Sequence, residues 1–205
     1  VFRAHGFQCH APDLLPSASG LENTSLEDYR FQVRHHLLAM DSPKIVIGAS
    51  LGGLLALMNS GAADAVVLIN PMPPAPWHTQ MPERENYPAI IPWQTNASLS
   101  GTRRALLDGD EMTNLYAFRH WRNESGAVMN EAMQGLEVVE PECPLLVLAS
   151  EQDADVPFAV SRALAENLNA SFIHLPETSH VGPLLGKTAA RCALQTVAFL
   201  HSSFD

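Results

Sequence analysis

Apolar residues recur along this chain with two different periods, and the places where one gives way to the other mark its elements. Leu26, Tyr29, Val33, Leu37 and Met40 return at intervals of three and four, which predicts an amphipathic helix, with Thr24 and Glu27 as a capping box at its start. Pro43 follows that helix's end. The short β-branched run Ile45 to Ile47 then predicts a buried strand over 45–48, LeuLeuAlaLeuMet a buried helix over about 51–60, and AlaValValLeuIle a strand over 65–69. Upstream, PheGlnCysHisAla from Phe7 reads as a short strand, with Gly6 capping a preceding helix end.

The same alternation returns late in the chain. ProLeuLeuValLeuAla is a strand over 144–149, and Val160, Leu164 and Leu168 belong to a helix opening with Pro157 in its first turn. SerPheIleHisLeu is a strand over 171–175, and a last helix runs from about Leu184 to His201. Strand and helix alternating over short links predict right-handed crossovers and a mostly parallel sheet covered on both faces, so the fold class is α/β.

Between Pro71 and about Pro141 the pattern changes. Prolines crowd its first part, all three tryptophans (Trp77, Trp93, Trp121) and five methionines lie in it, and helical spacing shows only near 99–119 and 124–136. A structureless loop of that length inside a compact domain is rare. The segment is therefore expected to be an inserted cap or lid over 71–141, with 1–70 and 142–205 forming the core.

Composition narrows the partners. The 205 residues suit one domain with a substantial core, and a formal charge of −10 argues against nucleic acid or an anionic membrane surface as a partner. Small molecules fit better. Cys9, Cys143 and Cys192 are odd in number and far apart, which reads as reduced core or near-core thiols and not as a disulfide framework. The longest apolar stretch, Ile45 to Met58, is interrupted by Gly and Ser and too short for a bilayer, and no signal-peptide pattern is present, which gives a cytoplasmic reading. The chain opens on Val1 and not Met, which leaves room for a natural start, and a targeting segment, ahead of it.

Gly48, Ser50 and Gly52 meet the pattern G-x-S-x-G at the first strand-to-helix junction. A serine there is either a turn residue or a nucleophile on a sharp, strained elbow, where bulky neighbours would keep strand and helix apart. Background usage yields the pattern in roughly one chain in twenty of this length, so its context decides. A serine hydroxyl needs a base, and the base needs an acid to fix its tautomer. Asp153 follows strand 144–149 and His180 follows strand 171–175, in the order Ser, Asp, His. Asp155 competes with Asp153 for the acid role, with helix capping as its alternative.

These segments, GlyAlaSerLeuGlyGly, ProLeuLeuValLeuAlaSerGluGlnAspAlaAspValPro, ProGluThrSerHis and GlyPheGlnCysHisAlaProAspLeu, resemble the α/β-hydrolase family in its capped, esterase-like branch. The resemblance implies Ser50 as nucleophile, Asp153 as triad acid, His180 as general base and the Leu51 amide as an oxyanion donor. The chain departs from the family where Ala49 stands in place of a frequent His before the serine. The family's second oxyanion amide follows an earlier strand, commonly at a His-Gly pair. His5-Gly6 does not fit that role, because 37 residues separate Gly6 from Lys44, enough only for the elements already placed there. By this likeness the chain starts inside the helix after the oxyanion loop, and the strand expected beside 45–48 is missing or replaced.

Within the cap, Trp77, Trp121 and Met72 are the candidate substrate contacts, with packing of the lid on the sheet as their alternative; His78 and His120 are either substrate contacts or exposed. His35 and His36 are expected on the surface, His174 in the core or half-buried, and Arg119 or Arg122 in a surface ion pair or on a substrate carboxylate. No histidines stand at metal spacing, so neither a metal nor another cofactor is expected. The function expected is hydrolysis of a small, largely apolar carboxylic ester through an acyl-enzyme. Thioester, amide or carbon–carbon cleavage would use the same triad, and a non-catalytic binding protein or inactive fragment is the alternative from another class. A sheet edge left without its neighbour makes a homodimer conceivable.

Overall fold

The computed structural model describes residues 1–204. Its main sheet has four strands, β1 (Ile45–Ala49), β2 (Ala65–Ile69), β5 (Leu145–Ser150) and β6 (Ser171–Leu175), in the order β1-β2-β5-β6 and parallel throughout. The intervening β3 (Ile90–Ile91) and β4 (Glu124–Ser125) form a separate two-residue antiparallel ladder.

Period-two alternation in the central strands sorts their side chains onto two faces. Val66, Leu68, Leu145 and Val147 face one way, against Ala56 and Leu57 of α2 (Leu51–Met58) and Leu164 and Ala165 of α6 (Phe158–Asn167). Ala65, Val67, Leu146 and Leu148 face the other way, against Cys192 and Leu200 of α8 (Ala189–Phe204) and the ring of Phe7. Burying both faces is why β2 reads as an unbroken apolar run, and each fully buried Val or Leu contributes about 1.5–3 kcal/mol.

A third cluster joins α1 (Leu26–Leu38) and α2 to the middle of the chain: Leu26 and Tyr29 meet Leu54, Leu55 and Met72 together with Val128 and Ala132 of α5 (Gly126–Met133). Two polar ties reinforce it. The Leu26 amide donates to Glu131, and the Tyr29 hydroxyl donates to Glu124 at 2.8 Å. Burial first, then that hydrogen bond, push the Tyr29 phenol well above its ordinary pKa. The segment between β2 and β5 is thus anchored in the core through α5, while α3 (Leu99–Ala105) and α4 (Glu111–His120) pack on each other.

Several sequence expectations are displaced. The capping box of α1 is Ser25 with Asp28, one residue beyond the expected pair, because the Thr24 hydroxyl is engaged in the preceding turn, donating to Gly20 and accepting from Ser17. Residues 7–11 form no strand; Phe7 stacks on His201 and residues 8–11 are exposed, Cys9 among them, so that thiol is not in the core. β1 pairs only with β2 among the described residues, and Ile47 is 41% exposed where a buried strand was expected. His174 is exposed on edge strand β6 and lies 3.3 Å from Glu151. The last helix is split into α7 (Gly182–Leu185) and α8, with Gly186 extended between them. No helix among the described residues is long and apolar enough to cross a membrane.

Candidate active site

Ser50 sits where β1 turns into α2, with φ 52° and ψ −121°, a backbone conformation rare for a residue with a side chain. Such a conformation costs of order 1–3 kcal/mol and persists only where surrounding structure fixes it. Here the Ser50 amide donates to the Ile69 carbonyl at 3.0 Å, and its own carbonyl accepts from Gly53 and Met72, both at 2.9 Å. Close approach of strand and helix explains the glycines unequally. A Cβ on Gly48 would lie 2.0 Å from the Gly52 carbonyl oxygen, and one on Gly53 would lie 2.7 Å from Pro71, whereas one on Gly52 would meet nothing. The requirement therefore falls on Gly48 and Gly53, not on both glycines of the sequence pattern.

Leu51 occupies the first position of α2, where a backbone N–H has no acceptor within the helix and points out of its N-terminus. Asp153 lies in the turn after β5 and His180 in the loop after β6. The His180 Nδ1 is 2.7 Å from Asp153 Oδ2, with the two side chains 13% and 1% exposed. The other carboxylate oxygen of Asp153 accepts the amides of Asp155 and Val156, so the acid is held by its own turn. Asp155 does not bond to the histidine; its carboxylate accepts from Arg84 at 3.0 Å, and Pro157 stands at the start of α6 with no side-chain cap.

Burial works to lower the His180 pKa, but the hydrogen bond to Asp153 and the charges of Asp153 and Asp155 outweigh it, and the imidazole ends above its ordinary 6.5. Arg84 opposes that rise. Asp153, Asp155 and His180 present their ligand atoms within 4.8 Å of one another, a spacing that a metal ion also uses. In this structure the Nδ1 of His180 is bonded to Asp153, and Asp155 is paired with Arg84.

Ser50 and His180 line one cavity of about 570 Å³. Its walls are mainly apolar: Met72, Met81, Trp93, Trp121, Met129 and Met133, with Arg84, Tyr87 and His78 supplying polar groups. Of the three expected substrate contacts, Met72 and Trp121 reach this cavity. Trp77 does not; it packs against the cluster formed by α2, α6 and the sheet. The Trp121 indole donates to the Thr102 hydroxyl at 2.8 Å, which fixes its ring. His78 does reach the cavity, His120 bonds its own helix at Tyr116, and Arg122 pairs with exposed Asp13.

Sequence reasoning passed over Arg84, Tyr87, Asn70 and Asp108. Asn70 has φ 44° at the end of β2 and is fully buried; its amide donates to the His180 carbonyl at 2.7 Å and to the Ser150 hydroxyl, and its side-chain oxygen accepts from the Ser150 amide. An asparagine directly after a buried strand is the one local signal that could have marked it.

A model of the alpha/beta hydrolase family matches residues 1–193. No curated protein matches the sequence. Among solved structures, a pyrethroid hydrolase is 19% identical with a TM-score of 0.70, covering 98% of this chain and 88% of that one. A methylesterase from Arabidopsis is 13% identical with a TM-score of 0.68, covering 96% and 89%. A monoacylglycerol lipase from Paleococcus ferrophilus is 16% identical with a TM-score of 0.65, covering 88% and 76%. At these identities the likeness is one of fold.

Proposed function

We propose that this chain, which belongs to the alpha/beta hydrolase family, is a serine hydrolase that cleaves a small, largely apolar carboxylic ester through an acyl-enzyme intermediate. The observation that carries the reading is the buried 2.7 Å contact between His180 and Asp153, opening with the strained Ser50 onto one apolar cavity. Buried acid–base pairs also occur as structural ties, but a structural tie has no use for a serine held at φ 52° on the same cavity.

In this mechanism His180 Nε2 removes the proton from the Ser50 hydroxyl as its oxygen attacks the ester carbonyl. Asp153 keeps the Nδ1 proton in place and stabilises the imidazolium that forms. The Leu51 amide donates to the developing oxyanion. His180 then returns the proton to the departing alcohol, and water, activated by the same imidazole, releases the acid and restores Ser50. An oxyanion donor is worth on the order of 3 kcal/mol, so the Leu51 amide is a large part of the rate enhancement.

The segment 71–141 acts as the cap. It supplies the Met and Trp lining, and unbranched methionine adapts to irregular acyl shapes. The names of three solved relatives, a pyrethroid hydrolase, a methylesterase and a lipase, support ester chemistry; a meta-cleavage product hydrolase of the same fold, 18% identical, keeps carbon–carbon cleavage as the second reading. A panel of nitrophenyl esters of increasing acyl length tests the reading. Turnover that peaks at short to medium acyl chains and disappears in Ser50→Ala is expected; equal turnover in Ser50→Ala would refute it.

A further inference from the structure

The loop that carries His180 is gripped by a carboxylate from the segment between α3 and α4. Asp108, in the link between α3 and α4, accepts both the backbone amide and the hydroxyl of Ser179, the residue immediately before His180. Its backbone carbonyl accepts the Lys187 amide at 3.1 Å, just beyond α7. The carboxylate lies in a slot lined closely by two glycines. A Cβ on Gly182 would fall 2.3 Å from Asp108 Oδ2, and one on Gly186 would fall 2.1 Å from the same atom. That oxygen is buried and has no hydrogen-bond partner, so the slot holds the carboxylate at the expense of one unsatisfied acceptor.

Asn70 holds the His180 carbonyl from the sheet side. Asn70, at the end of β2, therefore holds the peptide that follows His180, and Asp108, from the segment 71–141, holds the residue that precedes it. We infer that Asp108 is a positioning residue for His180, through which seating of the 71–141 segment aligns the base with Ser50; this rests on the function proposed above. Asp108 bonds Ser179 and not the imidazole, so its effect on His180 runs through geometry.

The test compares Asp108→Ala, Asp108→Asn and Ser179→Ala in the full chain, by kcat and KM on a nitrophenyl ester and by NMR of the hydrogen-bonded Nδ1 proton of His180. Asp108→Ala is expected to lower kcat on the order of tenfold to a hundredfold with KM little changed, and to shift or broaden the Nδ1 proton signal. Asp108→Asn keeps an acceptor for Ser179 and is expected to restore most of both, with the acidic limb of the pH profile unmoved. Ser179→Ala, a smaller lesion, decides the matter if Asp108→Ala does not fold. It too should lower kcat and perturb the signal. An unchanged Nδ1 signal and a kcat within about twofold of the parent in these variants would overturn the inference. If the parent chain turns over no ester, the proposed function fails, and the NMR comparison still decides whether Asp108 places the ring.

Discussion

His180 Nδ1 and Asp153 Oδ2 lie 2.7 Å apart although 27 positions separate them in sequence, and the Asp153 side chain is 1% exposed. A buried carboxylate in that position has two consequences: it selects the imidazole tautomer that leaves Nε2 free toward the cavity, and it favours the protonated ring. Each consequence can be measured separately.

In the proposed mechanism the ring works only when neutral, and its pKa is raised above 6.5, so kcat/KM is expected to rise through an ionisation above that value. Asp155 raises the pKa and Arg84 lowers it. Asp155→Asn should therefore move the acidic limb to lower pH and Arg84→Met to higher pH. For stability the sign is opposite in use: a raised folded-state pKa stabilises the fold fully below about pH 6.5, and that contribution is lost as pH rises through the folded value. Unfolding titrations at pH 5.5 and 8.5 should show His180→Ala losing more stability at the lower pH.

The two aspartates of the turn should separate cleanly. Asp153→Asn is expected to lower kcat by roughly 10³ to 10⁴, through the wrong tautomer, in protein that remains folded. Asp155→Ala removes an exposed pair with Arg84 and one charge acting on His180 but no bond to the imidazole, and should cost less than about tenfold. Steady-state kinetics on one ester, with circular dichroism as the check on folding, measures both.

The glycines of the elbow should differ in stability. Gly48→Ala places a methyl 2.0 Å from a backbone oxygen and is expected to destabilise by more than about 3 kcal/mol or to prevent folding. Gly52→Ala meets open space within α2 and should raise stability by up to about 1 kcal/mol. Urea denaturation of the two variants distinguishes them.

Trp121 and Trp77 make a matched pair, one at the cavity and one against the core. Trp121→Ala should change selectivity among acyl chains by about tenfold. Trp77→Ala should leave that selectivity alone and lower stability by about 3 kcal/mol. An acyl-length panel and thermal unfolding read the two effects.

Much of this was legible in the sequence, and the exceptions share causes. The runs at 65–69 and 144–149 read as strands because both faces are buried, and Ser50, Asp153 and His180 could be picked out because strand ends confine where such residues stand. The capping box was misplaced by one residue because Thr24–Glu27 and Ser25–Asp28 both satisfy the same local spacing, and only the turn at Ser17–Gly20 removes Thr24 from the contest. Trp77, expected at the substrate, packs on the core, while Trp93, given no role, lines the cavity, because the short and mostly irregular backbone between β2 and α3 gives a side chain no periodic direction. Arg84, Asn70 and Asp108 act through partners 71 to 110 positions away, and no local pattern encodes such pairs.

Treatment with a fluorophosphonate probe, followed by intact mass and peptide mapping, tests most directly whether Ser50 is an activated nucleophile. A single adduct on Ser50, abolished in Ser50→Ala and slowed by orders of magnitude in His180→Ala, is the result this account predicts. Folded protein that takes up no adduct, or one that labels equally in His180→Ala, would contradict it.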